Sequence, residues 1–278
     1  MSELSVALVQ LRTPASQAAA LAQAEPLIRQ AAAGGAQLIL TPEGTNLLQR
    51  DKVLQAQAMT TVDEDVCVQG LIALARALQV WLLIGSALIL DADGAAVNRT
   101  LLVDPQGRIV ATYDKMHMFD VDLPTGERVR ESESYRPGER AVTADTPWAR
   151  LGLSICYDMR FAYLYRALAK AGAQVLAVPA AFTRPTGEAH WEVLLRARAI
   201  ETGAFVLAPA QGGWHEDGRG TWGRSLIISP WGAVLAQAAD DEPGVISAKL
   251  DLDAVARARQ AIPALKNERA FTGPDAAA

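Results

Sequence analysis

The chain has 278 residues, of which 50% are hydrophobic and 21% charged, and its formal net charge is −5. These proportions predict a globular protein with a large core, of one domain or two, rather than a disordered or fibrous chain. An acidic chain without a lysine-rich run is a poor partner for nucleic acids or anionic membranes, so we expect a small-molecule substrate.

The cysteines and the apolar stretches suggest where the protein resides. Only two cysteines occur, Cys67 and Cys156, and neither belongs to a Cys-x-x-Cys pair, so neither a disulfide framework nor a cysteine zinc site is predicted. The first residues read as a strand without a basic leader region, and the apolar stretch at 81–90 is too short to span a bilayer. We therefore expect a cytoplasmic protein with no membrane partner.

Predicted strands and helices alternate along the first part of the chain. Residues 2–11 read as an apolar strand, and residues 14–35 carry apolar residues at helical spacing and end in two glycines, which predicts a helix with its stop signal. A short buried strand at 36–41 follows. A second helix is predicted at 62–78 and a strongly apolar strand at 80–90.

Segments of the first half recur in the second half in the same order. The matching pairs are 4–11 with 151–157, 35–42 with 172–179, and 101–111 with 226–236. Each member of the last pair is an apolar strand, a Pro-x-Gly turn and a returning strand, which predicts a β-hairpin. Because three pieces keep their order, we interpret the chain as an internal duplication.

The duplication predicts the fold. Further helices are predicted at 161–171 and 189–203, and two halves with helices on one face of each sheet would bury their open faces by stacking sheet on sheet. We therefore predict an α/β protein with mixed sheets, also classed α+β, built as a four-layer αββα sandwich with an internal pseudo-twofold repeat. Residues 1–260 are predicted to form a single domain. Residues 261–278 are charged and then rich in Gly, Pro and Ala, which predicts a tail that is mobile or packs on a partner subunit.

Cys156 is the first candidate for chemistry. Residues 151–161 run from an apolar strand pattern into this cysteine and then into a helix-like segment. A thiol at the end of a strand is held on a rigid edge, and a following helix N-terminus would favour its thiolate form. By itself, however, a cysteine in an apolar run is more often an inert core residue. For Cys67 we expect a position in the core or on the surface without a catalytic role.

Glu43 and Lys115 complete a possible catalytic set. Glu43 follows the strand at 36–41, and Lys115 follows the returning strand of the first hairpin. Each alone would be read as an exposed loop charge. Together with Cys156 they supply what a thiol nucleophile needs, namely a base for its proton and a cation for the oxyanion that it creates on a carbonyl.

Histidine provides an alternative base. A Cys/His pair is open because the chain has three histidines, His117, His190 and His215. These histidines stand alone in the sequence without the paired spacing of a metal site, so no metal is expected.

Several segments resemble a known family. Those at 41–43, 113–120, 130–138 and 155–161 resemble the signature of the nitrilase superfamily of carbon–nitrogen hydrolases. Within it, the segments at 179–183, 186–192, 194–201 and 229–232 resemble the Nit amidase branch. The match runs in order through nearly the whole chain. It implies the αββα sandwich with a pseudo-twofold that the repeat predicts, and a homodimer or higher homo-oligomer.

The resemblance also implies roles for individual residues. It implies Cys156 as nucleophile, Glu43 as general base, Lys115 as the cation beside the oxyanion, and Glu131 as a second glutamate that positions the substrate. The backbone N–H of Tyr157 is the expected second oxyanion donor. The implied enzyme cleaves a small linear carboxamide to a carboxylate and ammonia through a Cys156 thioester, and no cofactor is expected.

The implied substrate is less narrowly defined. Deaminated glutathione is the first candidate, and the alternatives are an ω-amidase for α-ketoglutaramate-like compounds, an N-carbamoyl amidohydrolase, and a catalytically silent scaffold. The intact Glu43, Lys115 and Cys156 set argues against the scaffold. An anionic substrate would need nearby cations, for which Arg130, Arg160 and Arg184 are candidates by position, although ordinary ion pairs are as strongly expected for each. The composition of residues 119–138 is compatible with a lid.

Overall fold

The computed structural model describes residues 3–122, 126 and 128–273. Its strands, in chain order, are β1 (Glu3–Gln10), β2 (Leu38–Leu40), β3 (Trp81–Leu90), β4 (Ala96–Val103), β5 (Ile109–Asp114), β6 (Asp120–Asp122), β7 (Arg128–Arg130), β8 (Val142–Asp145), β9 (Arg150–Leu153), β10 (Val175–Ala177), β11 (Phe205–Ala208), β12 (Gly212–Trp214), β13 (Gly220–Trp222), β14 (Leu226–Ile228), β15 (Val234–Gln237) and β16 (Gly244–Asp251). Its helices are α1 (Gln17–Ala33), α2 (Lys52–Ala58), α3 (Val66–Leu78), α4 (Ala162–Lys170), α5 (Arg184–Thr202) and α6 (Asp253–Ala261). Over these residues, the structure contains no helix of the length and hydrophobicity that a membrane span requires.

Local sequence explains where the helices begin and end. The side chain of Asp65 caps α3 by accepting a hydrogen bond from the backbone N–H of Val68 at 2.9 Å. The helix predicted at 189–203 begins earlier, at Arg184, because the proline that follows fits the first turn of a helix. It ends at Gly203, whose φ of 57° is easily reached by glycine.

Two six-stranded sheets share one pattern. Their strand orders are β16-β1-β2-β3-β4-β5 and β15-β14-β11-β10-β9-β8. In the first sheet β1, β2 and β3 are parallel, and β4 and β5 follow as antiparallel neighbours. In the second sheet β9, β10 and β11 are parallel, and β14 and β15 follow in the same way. The predicted α/β fold with an internal repeat is confirmed.

The two halves exchange their last strands. β8, which ends the first half, lies antiparallel beside β9, the first strand of the second half. β16, which ends the second half, lies antiparallel beside β1, with Glu3 opposite Asp251 and Gln10 opposite Gly244. Each sheet is therefore completed by a strand from the other half of the chain.

The hydrophobic core lies between layers of sheet and helix. Alternate residues of β1 point to opposite sides, so Leu4, Val6 and Leu8 join a core cluster with side chains of the second sheet, of α4 and of α5. Ala7 and Val9 join another cluster with α1 and α3. The first sheet thus packs on the second sheet on one side and on helices on the other, which agrees with the predicted αββα layering.

The end of the described chain packs on its own second half. Glu268 forms ion pairs with Arg166 at 3.2 Å and Lys170 at 2.5 Å, both on α4. Residues 274–278 of the predicted tail lie outside the described residues. The division into a domain at 1–260 and a tail at 261–278 stays a prediction.

Gly85 lies where the two halves meet. A Cβ atom at this position would lie 2.2 Å from the carbonyl oxygen of Thr41 and 2.7 Å from Cβ of Pro179. Thr41 leads through Pro42 to Glu43, and the carbonyl of Pro179 accepts a hydrogen bond from the backbone N–H of Cys156 at 2.8 Å. The missing side chain therefore lets the loops that carry these two residues approach each other.

Replacing Gly85 with alanine should strain this junction. We expect a stability loss of about 1–3 kcal/mol from overpacking. We also expect kcat to fall at least about tenfold, because Glu43 and Cys156 would no longer be positioned for proton transfer. Gly244→Ala is the matched control, since a Cβ there meets no atom within 4 Å. Thermal unfolding and initial rates measure both effects, and equal behaviour of the two variants would contradict this account of the junction.

Candidate functional site

The predicted residues Glu43, Lys115, Glu131, Cys156 and Tyr157 all line one cavity of about 620 Å³. Glu43 follows β2, Lys115 follows β5 and Cys156 follows β9, and Glu131 opens a short 3-10 turn after β7. The site is therefore built from strand ends of both halves. The sequence predicted this meeting of strand ends from the repeat.

Lys115 is the buried centre of the site. Only 2% of its side chain is exposed, and its Nζ lies 2.9 Å from Oε1 of Glu43 and 2.8 Å from both carboxyl oxygens of Glu131. Burial alone would lower the pKa of Lys115, but the charges of Glu131 and Glu43 outweigh it and raise the pKa well above the ordinary value. The side chain is thus a fixed ammonium ion at neutral pH.

Glu43 is held as a carboxylate by its neighbours. Its Oε1 accepts a hydrogen bond from Nδ2 of Asn98 at 2.9 Å, and its Oε2 accepts one from the backbone N–H of Ala181 at 2.9 Å. Burial alone would raise the pKa of Glu43, but the charge of Lys115 and hydrogen bonds from Cys156, Lys115 and Asn98 lower it below the ordinary 4.5. Glu43 is therefore ready to accept a proton.

Asn98 was not predicted from the sequence. It lies in β4, where its Nδ2 also lies 3.5 Å from Oε1 of Glu131, and its Oδ1 accepts a hydrogen bond from the hydroxyl of Ser86. Asn98 thus contacts the same two carboxyl oxygens that Lys115 contacts, one of Glu43 and one of Glu131. The available signal was weak, because Asn98 is the first of three consecutive polar residues in β4 and only its burial, which the sequence does not show, requires a partner.

Cys156 has a strained backbone and a protonated thiol. Its φ is 49°, in the left-handed region that non-glycine residues rarely adopt, and its N–H is held by the carbonyl of Pro179 at 2.8 Å. Burial and the charge of Glu43 raise the pKa of the thiol well above its ordinary value, although Lys115 opposes them. The stabilisation of a thiolate expected from a helix N-terminus does not dominate the pKa of this thiol. A short 3-10 turn follows the cysteine, and burial beside a carboxylate dominates.

Asp158 anchors the turn that carries Cys156. It is fully buried, and its Oδ2 accepts hydrogen bonds from the hydroxyl of Tyr113 at 2.6 Å and from the N–H of Ile155 at 2.8 Å. Its Oδ1 lies 2.6 Å from Nδ1 of His117. Asp158 therefore connects the cysteine turn with the segment around Lys115.

The histidines make their contacts elsewhere. The ring of His117 stacks on Phe161 at a centroid distance of 3.6 Å, besides its bond to Asp158. Nδ1 of His190 lies 3.2 Å from the guanidinium of Arg160, and Nε2 of His215 lies 2.7 Å from the hydroxyl of Thr221. The group that hydrogen-bonds the Cys156 thiol is instead Glu43. Within the described ranges, no group of three or more His, Cys, Asp or Glu side chains is arranged to hold a metal ion.

Tyr157 packs against an aromatic side chain, whereas Cys67 lies in the hydrophobic core. The ring of Tyr157 packs edge-on against Phe119 at a centroid distance of 5.1 Å. Its backbone N–H is adjacent to Cys156, and the oxyanion role of that N–H stays a prediction. Cys67 lies in α3 and is fully buried, where burial raises the pKa of its thiol, so it takes the core one of its two expected positions.

The mouth of the cavity is basic although the chain is acidic. Besides Lys115, the lining cations are Arg50, Lys52, Arg128, Arg130 and Arg219. Of the three arginines considered from the sequence, only Arg130 lines the cavity, and it is paired with Asp122 at 2.9 Å. Arg160 lies over the ring of Phe182, and Arg184 pairs with Asp241.

Part of the predicted lid can be described. β6 and β7 form a hairpin, and Phe119, Val129 and Arg130 line the cavity. Residues 123–125 and 127 of this segment lie outside the described residues. Closure of residues 119–138 over a ligand stays a prediction.

The arrangement suits attack on a carbonyl carbon. A thiol contacts a carboxylate that can take its proton, and an ammonium ion lies beside both. Such a set generates a nucleophile and stabilises the negative charge that forms on the carbonyl oxygen.

Comparison with known proteins agrees with this chemistry. The sequence profile of the family described as carbon-nitrogen hydrolase matches residues 5–260. Deaminated glutathione amidase of Yersinia enterocolitica is 40% identical over 272 residues, which cover 97% of this chain and 94% of that protein. Omega-amidase NIT2 of Homo sapiens is 35% identical over 269 residues, which cover 97% of this chain and 96% of that protein.

A solved structure shares the fold. The C. elegans NitFhit protein superposes with a TM-score of 0.89 at 36% sequence identity, over 97% of this chain and 66% of that chain. The similarity therefore extends over both six-stranded sheets and the cavity between their strand ends.

Proposed function

The chain belongs to the carbon–nitrogen hydrolase family, and we propose that it hydrolyses a linear amide through a thioester on Cys156, with deaminated glutathione as its first candidate substrate. One observation carries the proposed chemistry. The ammonium group of Lys115 donates a hydrogen bond to Glu43 at 2.9 Å, and both line one cavity with Cys156, whose pKa the charge of Glu43 raises, so the base, the nucleophile and the cation lie together.

In the first step, Glu43 takes the proton of Cys156 as the sulfur attacks the amide carbon. The raised pKa of the thiol means that this transfer is coupled to attack, because a free thiolate next to Glu43 is unfavourable. Lys115 and the backbone N–H of Tyr157 stabilise the oxyanion. The C–N bond then breaks, and the leaving nitrogen receives the proton from Glu43.

In the second step, water hydrolyses the thioester. Glu43, again a carboxylate, removes a proton from the water as its oxygen attacks the acyl carbon. The C–S bond breaks, the sulfur recovers a proton, and the acid leaves. Glu131 holds Lys115 in place through both steps with contacts of 2.8 Å.

The substrate decides the identity of the leaving group. In deaminated glutathione the scissile amide joins an α-ketoglutaryl group to cysteinylglycine, so the leaving group is the amine of that dipeptide rather than the ammonia expected for a simple carboxamide. Similarity to a deaminated glutathione amidase over 97% of the chain supports this substrate. The basic mouth of the cavity supports an anionic one.

An ω-amidase activity on α-ketoglutaramate is the second candidate. It is supported by 35% identity to a human omega-amidase over 97% of the chain. Both substrates would transfer the same α-ketoglutaryl group to Cys156, and they differ only in whether cysteinylglycine or ammonia departs.

Product analysis distinguishes these candidates. The protein is incubated with deaminated glutathione, α-ketoglutaramate, N-carbamoyl amino acids and simple nitriles, and α-ketoglutarate, cysteinylglycine and ammonia are quantified. We expect kcat/KM for deaminated glutathione to exceed that for α-ketoglutaramate by about tenfold or more. The reverse preference would select the ω-amidase, and no turnover of any compound would favour a catalytically silent scaffold.

Replacing Glu43 with glutamine should identify the base. The change keeps the size of the side chain but removes its ability to accept the thiol proton, so we expect kcat/KM to fall by about 10²- to 10⁴-fold. His190→Ala and His215→Ala should retain activity within a few fold. His117→Ala should lose less than Glu43→Gln, because His117 contacts Asp158 and the ring of Phe161, and its role is to position the cysteine turn. A histidine variant as inactive as Glu43→Gln, but equally folded by circular dichroism, would favour the Cys/His alternative.

We also propose that the protein is a cytoplasmic homodimer. Apolar side chains are exposed on α5 and the neighbouring β14–β15 turn, including Val193, Ile200 and Trp231 at 68%, 53% and 63%. Such a surface is typical of a subunit contact. Both cysteines are free, which suits a reducing compartment. Light scattering with size-exclusion chromatography and cell fractionation test these two points.

A further inference from the structure

Tyr135 has a buried hydroxyl without a partner. Its ring packs among Leu47, Met59 and Leu88, and the residue is 8% exposed. In the part of the chain that the structure describes, the hydroxyl makes no hydrogen bond. Because buried hydroxyls are almost always paired, this group calls for a partner that the described residues do not supply.

The hydroxyl lies beside the catalytic cavity. Tyr135 is one of the residues that line it, and the charges of Glu131, Arg219, Glu43 and Lys115 all act on the phenol. Burial is the main cause that raises the pKa of Tyr135, and the charge of Glu131 adds to it. The phenol is therefore a neutral hydrogen-bond donor.

Arg219 reaches the same cavity from the second half of the chain. It lies in the turn between β12 and β13, and 33% of its side chain is exposed. Its guanidinium lies 3.6 Å from Oδ2 of Asp217, too far for a hydrogen bond, and that oxygen has no hydrogen-bond partner among the described residues. Arg219 therefore keeps donors that a ligand can use.

The other cations of the mouth form ion pairs or other interactions, or are more exposed to solvent than Arg219. Lys52 pairs with Glu133 at 2.8 Å and Arg130 with Asp122 at 2.9 Å. The side chain of Arg128 is 73% exposed, where water screens its charge. Arg50 has an interaction of its own. Arg219 thus combines partial burial with guanidinium N–H groups that are free to donate hydrogen bonds.

We propose that Tyr135 and Arg219 form a subsite for the carboxylate of the substrate's acyl group. The hydroxyl would donate one hydrogen bond, and the guanidinium would supply the charge and further donors. This inference rests on the proposed amidase function and narrows its substrates to amides whose acyl part carries a carboxylate. The α-ketoglutaryl group has one, and it is common to both candidate substrates.

Kinetics with a charged and a neutral amide test the subsite. α-Ketoglutaramate carries the carboxylate, and pentanamide has the same number of carbons without it. For α-ketoglutaramate, we expect KM to rise about tenfold or more in Arg219→Gln and about threefold to tenfold in Tyr135→Phe, with kcat nearly unchanged. For pentanamide, kcat/KM should change less than about twofold. Arg29→Gln, which removes an exposed arginine on α1 paired with Glu25, controls for net charge.

A binding measurement keeps this test separate from the amidase proposal. Calorimetry of α-ketoglutarate, the expected acid product, is carried out on Cys156→Ala alone and combined with Tyr135→Phe or Arg219→Gln. We expect the Kd to rise by the same factors as KM, whether or not any amide is turned over. The subsite would be overturned if kcat/KM fell equally for the charged and the neutral amide. It would also be overturned if the Kd of α-ketoglutarate were unchanged in the double variants, or if Cys156→Ala did not bind α-ketoglutarate. Absent turnover with these Kd shifts present would overturn only the amidase proposal.

Discussion

Replacing Cys156 with alanine is expected to lower amide turnover by about 10⁴-fold or more, because the acyl group then has no sulfur on which to form a thioester. The fold should survive, since alanine leaves the backbone hydrogen bond to the carbonyl of Pro179 in place. Initial rates of α-ketoglutarate release measure the loss. Intact mass spectrometry of the wild type quenched during turnover should show the acyl adduct, and the variant should show none.

Cys67→Ala is the matched control for this experiment. Cys67 is fully buried and is not among the residues that line the cavity, so its replacement should cost about 1 kcal/mol of stability and leave kcat within about twofold. Residual turnover in Cys156→Ala of more than a few per cent, or an adduct that persists in this variant, would contradict a thioester on Cys156.

Replacing Lys115 with methionine should affect both activity and stability. The change leaves Glu43 and Glu131 buried without the ammonium ion that both contact within 2.9 Å. Breaking a buried ion pair from one side costs about 3–5 kcal/mol. Loss of an oxyanion donor lowers kcat by about 10²- to 10³-fold. We therefore expect a weakened fold and very low activity at neutral pH.

The stability loss should depend on pH. In the wild type, folding lowers the pKa of Glu43. The contribution of Glu43 to the free energy of unfolding is therefore present above its unfolded-state pKa, near 4.5, and is lost as the pH falls through its lower folded-state pKa. In the variant, burial and repulsion from Glu131 would raise the pKa of Glu43. In the variant, the contribution of Glu43 to stability is therefore present below the pKa of its unfolded state. It is lost as the pH rises through the raised pKa of its folded state. The difference in the free energy of unfolding between the wild type and Lys115→Met should thus be larger at pH 8 than at pH 5.

Urea unfolding at these two pH values tests the prediction. Adding Glu131→Gln to Lys115→Met removes one of the two stranded carboxyl groups and should restore part of the stability, without restoring activity. Lys249→Met, on the exposed side of β16, controls for loss of a lysine. A Lys115→Met protein as stable as the wild type at pH 8 would mean that the two carboxyl groups do not depend on Lys115.

Much of the fold was predictable because the chain repeats itself. Three short matches were enough to predict two equivalent sheets, and the strand orders confirm them. β8 and β16 were not predicted. β8 has only four residues, and most of β16 is partly exposed at the edge of its sheet, so neither shows the apolar run that reveals a central strand.

The site was predictable where position alone mattered. Glu43, Lys115 and Cys156 follow strands whose ends must meet, and the resemblance added Glu131. Asn98 was missed because its role depends on which two carboxyl groups it reaches across the fold. The raised pKa of the Cys156 thiol was not predicted, because the sequence shows a following helical turn but not the burial and the carboxylate that raise this pKa.

The exchange of β8 and β16 bears on how the protein is made. During synthesis, β1 leaves the ribosome before the other described strands, but its outer neighbour β16 is the last of them to appear. Until then the first sheet has an open edge on which other chains can pair, so the nascent chain is exposed to aggregation and to chaperones. The long loop that must close makes this last pairing slow. A premature stop before residue 244 would therefore remove far more than a terminal strand, since it would leave the first sheet unfinished.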